Sequence, residues 1–390
     1  MNKYLPFLLV LSLITCCVEV DISVPSFPDI SDYYKISDGM TQLTVAINFL
    51  GSCLACIFYG PLSDTFGRRR IMIYGNAIMM IGACGCVFSP DIYILLFSRL
   101  IQGIGAATSA VVAFAMVADK YKKSEATTII GFMNSLITII MSGAPVVGSI
   151  INKYIGWHGS YVIIAGLSVI SWIMLYLYLP ETKPHFENLK LTKIFKDYKT
   201  IILRYDFFLL SITPSLMYAG WMSFVACCSF LYIESYDLSI IQYAIHQATI
   251  IGAFCITSLF CSKINKYLGE ANSVSYGICL NLIGAILLII FGIFSMHSPY
   301  FTSLGMIVFG IGAAISYPIL FTKSLEIFPN IKGTASSAIM SLRSLICATF
   351  VAISSNIYDG TLLKVAVVVL LSGLLSAVFS WRILQITNFD

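Results

Sequence analysis

Apolar segments long enough to cross a lipid bilayer recur along almost the whole chain, separated by short polar stretches. A membrane-spanning helix needs about 20 consecutive apolar residues, because the hydrocarbon core of a bilayer is about 30 Å thick. By this criterion we predict about twelve spanning helices. Their approximate bounds are 5–27, 41–59, 71–88, 92–117, 128–151, 160–179, 207–232, 239–262, 273–295, 301–322, 334–354 and 362–381.

The composition indicates a membrane protein rather than a soluble domain. Of the 390 residues, 58% are hydrophobic and 11% are charged, whereas soluble domains carry about 25% charged residues. We therefore predict an all-α polytopic membrane protein with two groups of six helices, residues 1–179 and 207–390. The intervening segment 180–206 is rich in lysine, so we predict a cytoplasmic linker that includes a short amphipathic helix.

Positive charges are concentrated on one side of the predicted topology. Alternating the loops gives eighteen lysines and arginines to one side and three to the other. Because cytoplasmic loops carry an excess of Lys and Arg, we expect both termini in the cytoplasm and the chain in a bacterial inner membrane. The partner of this basic chain is then the lipid bilayer, and we expect no nucleic acid. The larger set is Lys3, Arg68, Arg69, Arg70, Lys120, Lys122, Lys123, Lys183, Lys190, Lys193, Lys196, Lys199, Arg204, Lys263, Lys266, Lys323, Lys332 and Arg382, and the smaller set is Lys35, Lys153 and Lys364.

Two features of the apolar spans allow other interpretations. The first span could be a cleaved signal ending at Cys16 or Cys17, but its apolar run continues through Val24, so we keep it as a helix. All twelve cysteines lie in or at the ends of spans, where free cysteine behaves as a small hydrophobe. The pairs Cys53-x-x-Cys56 and Cys84-Gly-Cys86 have no histidine or carboxylate in the same span, so we expect no metal, cofactor or disulfide.

Four charged residues, Glu19, Asp21, Arg99 and Arg343, lie well within the predicted spans. Such charges are costly in a membrane and indicate function by default. With the first span ending at residue 27, Asp21 and Arg99 would both lie about 10 Å from one surface. We expect them to pair, either to couple a proton to a conformational change or only to orient helices. Glu19 is about 200° from Asp21 around the helix, so the two carboxylates cannot both face the same partner residue.

The remaining candidates concern the substrate. Arg343 has no carboxylate in its own span, so it either pairs across the bundle, reaches the membrane surface or faces a central cavity, where it would favour anionic or zwitterionic compounds. His246 either packs within the bundle or binds a substrate or a proton. Tyr218 and Trp221 lie on an aromatic, sulfur-rich stretch that forms either a substrate wall or a lipid-facing stripe.

Three segments carry small residues and charges in a distinctive order. The turn between the second and third spans is Gly60-Pro-Leu-Ser-Asp64-Thr-Phe-Gly67-Arg68-Arg69-Arg70. The fourth span contains Arg99-Leu-Ile-Gln102-Gly103-Ile-Gly105, and the fifth contains Gly143-Ala-Pro145-Val-Val-Gly148. These segments resemble the signature loop, the arginine motif and the antiporter motif of the major facilitator superfamily of secondary transporters.

Four further segments are Asp21-x-x-x-Pro25-x-x-Pro28, Trp157-His158, Leu179-Pro180-Glu181-Thr182 and Phe328-Pro329-Asn-Ile-Lys-Gly333-Thr334-Ala335-Ser336. Together they resemble the Bcr/CflA group of drug exporters. The resemblance implies two pseudo-symmetric six-helix bundles that rock around a midplane site. It implies Asp21 as the proton-responsive acid with Arg99 as its partner, and we add Glu19 as a further candidate. It also implies a latch that holds the outward-open state, formed by Gly60, Asp64, Gly67, Arg68 and Asp119.

We therefore predict a proton-coupled exporter of small amphiphilic compounds, such as drugs or endogenous metabolites. We expect protons and a small molecule as partners, and a monomer. Proton-linked uptake of a metabolite uses the same fold and is the alternative. A membrane-embedded enzyme would need convergent catalytic groups in the spans, and the sequence shows no such set.

Overall fold

The computed structural model describes residues 4–183, 191–294, 298–328 and 331–386 and is nearly all helical. Lys3 and Lys190 of the predicted cytoplasmic side lie outside these ranges. The α-helices are α1 Leu5–Asp21, α2 Phe27–Tyr34, α3 Asp38–Phe66, α4 Arg68–Val87, α5 Ile92–Lys120, α6 Lys123–Ile155, α7 Trp157–Tyr178, α8 Leu191–Leu203, α9 Tyr205–Ser229, α10 Ile240–Leu268, α11 Glu270–Ile293, α12 Pro299–Glu326, α13 Lys332–Ile357 and α14 Leu362–Ile386.

Eleven helical segments within the described residues are long and apolar enough to cross a membrane. The predicted span 128–151 lies in α6, whose apolar part, Ile139–Ile155, is shorter than the others. The predicted all-α polytopic fold is confirmed. The exact bounds of the two bundles, 1–179 and 207–390, stay predictions.

The first span is longer than the sequence predicted. It continues from α1 through a 3-10 turn, Val24–Ser26, into α2 and ends at Tyr34. The prediction stopped it near Pro25 and Pro28, but Pro25 lies in the 3-10 turn and Pro28 in the first turn of α2, where a missing N–H removes no helical hydrogen bond. Asp21 is therefore roughly 20 Å of helix from the end at Tyr34 and lies deep in the membrane.

Glycine makes the tight turns at equivalent places in the two halves. Gly67 separates α3 from α4 with φ +96°, and Gly269 separates α10 from α11 with φ +80°. Residues with a Cβ rarely adopt this region, and glycine does so without steric cost. The second and third spans of each half are thus joined by the same backbone geometry.

The predicted linker contains the expected amphipathic helix, α8. The Tyr198 hydroxyl donates a hydrogen bond to the Ile57 carbonyl oxygen at 2.7 Å. Ile201 is fully buried in a cluster with Phe207 and Phe328. This helix therefore packs against spans of both halves.

The two halves also pack together along α3 and α13. The Ser341 hydroxyl donates a hydrogen bond to the Cys53 carbonyl oxygen at 2.9 Å. A side chain at Gly60 would overlap the Ser337 hydroxyl, so the absence of a Cβ permits this close contact. Below, the end of the molecule that carries Arg68 to Arg70 is called the cationic face, and the end that carries Lys35 is called the opposite face.

Among the described residues, one cluster of buried hydrophobic side chains is shared by both halves near the opposite face. There, the rings of Phe27 and Phe230 lie 6.4 Å apart within one cluster drawn from both halves. Towards the cationic face, the buried residues around Leu9 all belong to the first half, and those around Leu210 all belong to the second. The halves are therefore closed against each other at the opposite face and have separate cores towards the cationic face.

Candidate functional site

A cavity of about 340 Å³ lies between the halves at mid-span. Its wall comes from α1, α6, α9, α10, α12 and α13 and is largely aromatic and sulfur-bearing. The charged groups in the wall are Asp21 and Arg343. The aromatic residues are Tyr218, Trp221, Phe254 and Tyr317, and the sulfur-bearing residues are Cys17, Met141, Met217, Met222 and Cys255. Asp21, Tyr218, Trp221 and Arg343, which the sequence suggested separately, thus meet at one cavity.

Arg343 faces this cavity without a carboxylate partner among the described residues. Its Nη1 donates a hydrogen bond to the Tyr317 hydroxyl at 3.1 Å. The guanidinium carbon lies 4.9 Å from the centre of the Tyr218 ring, within the range of a cation–π interaction. Its Nε is buried and has no hydrogen-bond partner in the described part of the chain. Of the three placements considered for Arg343, the cavity-facing one is observed.

Asp21 lines the same cavity and is 7% exposed. Within the described residues, its carboxylate makes no ion pair and no hydrogen bond. The expected ion pair with Arg99 is therefore wrong for this conformation. The two residues do lie at the same level, since Arg99 donates to the Glu19 carbonyl oxygen and the Ser23 hydroxyl on either side of Asp21, but the Asp21 side chain lines the cavity instead.

Arg99 is instead the centre of a separate polar network, which we call the Arg99 network. Its Nη2 donates to the Ser23 hydroxyl at 2.6 Å. Its Nη1 donates to Gln102 Oε1 at 3.1 Å and to the Glu19 carbonyl oxygen at 3.4 Å. The guanidinium also lies 5.3 Å from the centre of the Tyr161 ring. Arg99 is fully buried, so these contacts replace much of its hydration, while its Nε has no hydrogen-bond partner among the described residues.

Glu19 and Asp21 lie in different environments although they are two residues apart. Asn48 Nδ2 donates to Glu19 Oε1 at 3.1 Å and to the Arg99 carbonyl oxygen at 3.3 Å, so the Glu19 side chain belongs to the Arg99 network. Asp21 projects into the central cavity. Sequence reasoning missed Asn48 and Ser23, although polar residues inside apolar spans are a usable signal.

The charged turn on the cationic face forms the contacts that the resemblance implied. Arg68 Nη2 lies 2.8 Å from Asp64 Oδ1, and Arg68 Nε lies 2.9 Å from Asp119 Oδ2. Lys183 also pairs with Asp64. The halves are closed at the opposite face while these contacts are present. The role of this set in holding an outward-open state stays a prediction.

Glu181 is a member of this turn that the sequence did not single out for a role. Its two carboxylate oxygens accept from the backbone N–H groups of Arg68 and Arg69, both at 3.1 Å. These N–H groups begin α4, where a helix has unpaired donors and a partial positive charge. Glu181 therefore fixes the start of the linker to the charged turn.

The glycines of the antiporter-like segment are not equivalent. A Cβ at Gly148 would overlap the Ile22 carbonyl oxygen, whereas a Cβ at Gly143 would meet nothing within 4 Å. Pro145 has no N–H to donate to the carbonyl of Met141, one turn earlier. Because Met141 lines the cavity, the helix is loosened where it forms the cavity wall.

His246 does not reach the central cavity. It lines a second cavity of about 410 Å³ between α10 and α12. Its Nδ1 lies 2.8 Å from the Ser303 hydroxyl, and its ring packs near Tyr232 and Tyr300. The prediction of a substrate contact at His246 therefore receives no support from its position.

Comparison with known sequences gives one family and several relatives. The sequence profile described as Major Facilitator Superfamily matches residues 9–351. The chain is 23% identical to the chloramphenicol resistance protein CraA of Acinetobacter baumannii, over 86% of this chain and 82% of the relative. It is 24% identical to the multidrug resistance protein MdtM of Escherichia coli K12, over the same shares of the two chains.

Solved transporter structures share the fold at low identity. A bacterial homologue of the human lysosomal transporter Spinster, in an inward-facing and unoccupied conformation, superposes with a TM-score of 0.78. It is 15% identical, with 99% of this chain and 98% of that chain covered. A D-xylose–proton symporter superposes with a TM-score of 0.75 at 16% identity, and 98% of each chain is covered.

Proposed function

This chain belongs to the Major Facilitator Superfamily, and we propose that it is a proton-coupled exporter of small amphiphilic compounds across a bacterial inner membrane. The superfamily consists of transporters, so the alternative of a membrane-embedded enzyme is set aside. The observation that carries the proposal is the Asp21 carboxyl, which lies in the central cavity without a partner among the described residues. A carboxyl in this position can hold either a proton or a cationic part of a cargo.

Proton coupling then operates by competition inside the cavity rather than by breaking an Asp21–Arg99 pair. A proton that enters from outside neutralises Asp21 and removes the attraction for a cationic group of the cargo. When the cavity faces the cytoplasm, loss of that proton restores the charge and favours loading. Glu19 and Arg99 act in this scheme as an internal network that holds α1 against α5.

Three observations support export. Two relatives of this chain are described as a chloramphenicol resistance protein and a multidrug resistance protein. Pro145 interrupts the helical hydrogen bonds beside the cavity, as in the antiporter motif that the segment resembles. The lining of aromatic and sulfur-bearing side chains suits apolar compounds of varied shape, because thioethers and thiols are soft and adaptable.

We assign the cationic face to the cytoplasm because cytoplasmic loops carry an excess of Lys and Arg. Both termini then lie in the cytoplasm, and the conformation is inward-facing. The working unit is a monomer with bundles 1–179 and 207–390 joined by the linker 180–206. The set of Gly60, Asp64, Gly67, Arg68 and Asp119 acts as a conformational latch, in which Gly60 provides the close contact to α13 and the charges fix the turn between α3 and α4.

Accumulation of two amphiphiles in cells tests the function. Cells that produce the protein should hold several-fold less ethidium or chloramphenicol than control cells, and a protonophore should abolish the difference. Asp21→Asn should remove this efflux. Asp32→Asn is the matched control, because Asp32 is an exposed carboxylate at the end of the same span, and it should leave efflux intact.

The alternatives give distinct results. Undiminished efflux by Asp21→Asn would reject the role of this carboxyl. Proton-dependent accumulation above the control level would reject export in favour of uptake. Efflux that persists in the presence of the protonophore would reject proton coupling.

A further inference from the structure

We infer that the central cavity preferentially takes zwitterionic amphiphiles, with the anionic group on Arg343, the cationic group on Asp21 and an apolar body against the aromatic wall. This inference rests on the proposed transport function and specifies its substrate class. It starts from two opposite charges that line one cavity. Among the described residues, no ion pair joins them to each other or to any other charge.

A buried charge is normally paired, because removing it from water is costly unless another group compensates. Asp21 lies on α1 of the first half and Arg343 on α13 of the second half, and both line the same cavity. Closing the cavity on a cation alone would leave Arg343 unpaired, and closing it on an anion alone would leave Asp21 unpaired. A zwitterion compensates both groups at once.

The geometry of Arg343 favours a carboxylate, phosphate or sulfonate. The Tyr317 hydroxyl and the Tyr218 ring hold the guanidinium in place, but contacts with the described residues use only one of its five N–H donors. A planar guanidinium fork matches an oxyanion in a bidentate manner, and such charge-assisted hydrogen bonds are roughly twice as strong as neutral ones.

The other residues of the cavity wall indicate that the body of the ligand is apolar. Trp221, Phe254 and Met217 are large and uncharged, and they line the same cavity as the two charges. A volume of about 340 Å³ suits a small molecule. Glu19 lines an adjoining space of about 100 Å³ and is not part of this wall. One of its carboxylate oxygens accepts from Asn48, and the other has no partner in the described part of the chain. The structure therefore assigns the cation to Asp21 and favours an aromatic or aliphatic amino-carboxylate.

Three compounds that share one phenyl body test this class. L-phenylalanine is the zwitterion, phenethylamine the cation and 3-phenylpropionate the anion. Binding to purified full-length protein is measured by calorimetry, and transport is measured in proteoliposomes under an imposed pH gradient. We expect the wild-type protein to bind L-phenylalanine at least about tenfold more tightly than either single-charge compound, because each would leave one buried charge unpaired.

Variants then test which residue binds the anionic group of the ligand and which binds the cationic group. Arg343→Gln should abolish the preference for L-phenylalanine over phenethylamine, and Arg343→Lys should retain part of it. Asp21→Asn should abolish the preference for L-phenylalanine over 3-phenylpropionate. Arg382→Gln is the matched control, since Arg382 is an exposed arginine whose guanidinium stacks on Trp381, and it should leave the ranking unchanged.

Failure of this inference and failure of the proposed function can be told apart. If the wild-type protein transports cations or neutral drugs in an Asp21-dependent manner but ranks phenethylamine at or above L-phenylalanine, the substrate class is rejected and the function stands. If no tested compound moves with the pH gradient, the function is rejected. The wild-type ranking needs no variant, so misfolding of a substituted protein cannot obscure the result.

Discussion

Each half of the molecule places one arginine in the middle of a membrane span, and the two arginines are held differently. In the first half, Arg99 is fully buried, donates three hydrogen bonds and stacks on a tyrosine ring. In the second half, Arg343 donates one hydrogen bond, stacks on a tyrosine ring and faces the cavity. An arginine surrounded by protein acceptors stabilises its own bundle, whereas one with unoccupied donors at a cavity can bind a ligand.

The same contrast appears on the cationic face. Gly67 and Gly269 give the two halves the same turn, but the charges that fix the turns are reversed. In the first half Arg68 at the start of α4 pairs with Asp119 of α5, and in the second half Glu270 at the start of α11 lies 2.9 Å from Lys323 of α12. The backbone repeats between the halves, while the side chains differ in sign and in exposure.

The largest expected effect is a difference in the free energy of unfolding between variants of the two mid-span arginines. Arg99→Gln should lower the free energy of unfolding by roughly 3 kcal/mol, since three hydrogen bonds to a charged group are lost within a closed network. Arg343→Gln should lower it by less than about 1 kcal/mol, because it also removes an uncompensated charge. Denaturant unfolding in detergent micelles measures both.

A double variant sharpens this comparison. Glu19→Gln together with Arg99→Gln should recover part of the stability lost in Arg99→Gln alone, because the carboxylate is no longer left without its neighbouring cation. Equal losses for Arg99→Gln and Arg343→Gln would contradict the distinction between a structural and a ligand-binding arginine.

The next effect concerns the packing that supports the first half. Gly148→Ala should cost about 2 kcal/mol, because the new Cβ overlaps the Ile22 carbonyl oxygen and must push α6 away from α1. Gly143→Ala should be neutral or slightly stabilising, by up to about 1 kcal/mol, because the site has room and alanine reduces the freedom of the unfolded chain. The same unfolding measurement compares them, and a stable Gly148→Ala protein would show that the α1–α6 contact is loose.

The two charged turns should differ in their influence on transport. Asp119→Asn removes the negative charge that pairs with a largely buried arginine and should reduce the initial rate of proton-driven transport by about tenfold. Glu270→Gln changes a carboxylate whose side chain is 44% exposed and should alter the rate less than about twofold. Rates in proteoliposomes at matched protein density measure this. Equal rates in the two variants would remove the case for a latch that is specific to the first half.

The sequence predicted the fold well and the site in part. Apolar length predicted the spans, because the bilayer constrains every span in the same way, and residues 9–351 match the predicted family. The convergence of Asp21 and Arg343 on one cavity could not be predicted, since which way a mid-span side chain points depends on how the two halves pack. The Asp21–Arg99 pair was wrong because Arg99 donates to Glu19 and Ser23, on either side of Asp21, while the Asp21 side chain lines the cavity. The direction of a side chain depends on tertiary packing, which the sequence pattern does not give.

The smallest expected effect concerns His246, which tests whether the functional charges are confined to the central cavity. His246→Ala should change the transport rate and the phenylalanine preference by less than about twofold, because the ring lies in a separate cavity and contacts Ser303 rather than the central wall. Trp221→Ala is the matched comparison, since it removes an aromatic ring that lines the central cavity, and it should weaken binding several-fold. If His246→Ala instead altered the ranking of the three phenyl compounds, the cargo would have to pass through or occupy the second cavity, and the contrast between Arg99 and Arg343 would no longer define the site.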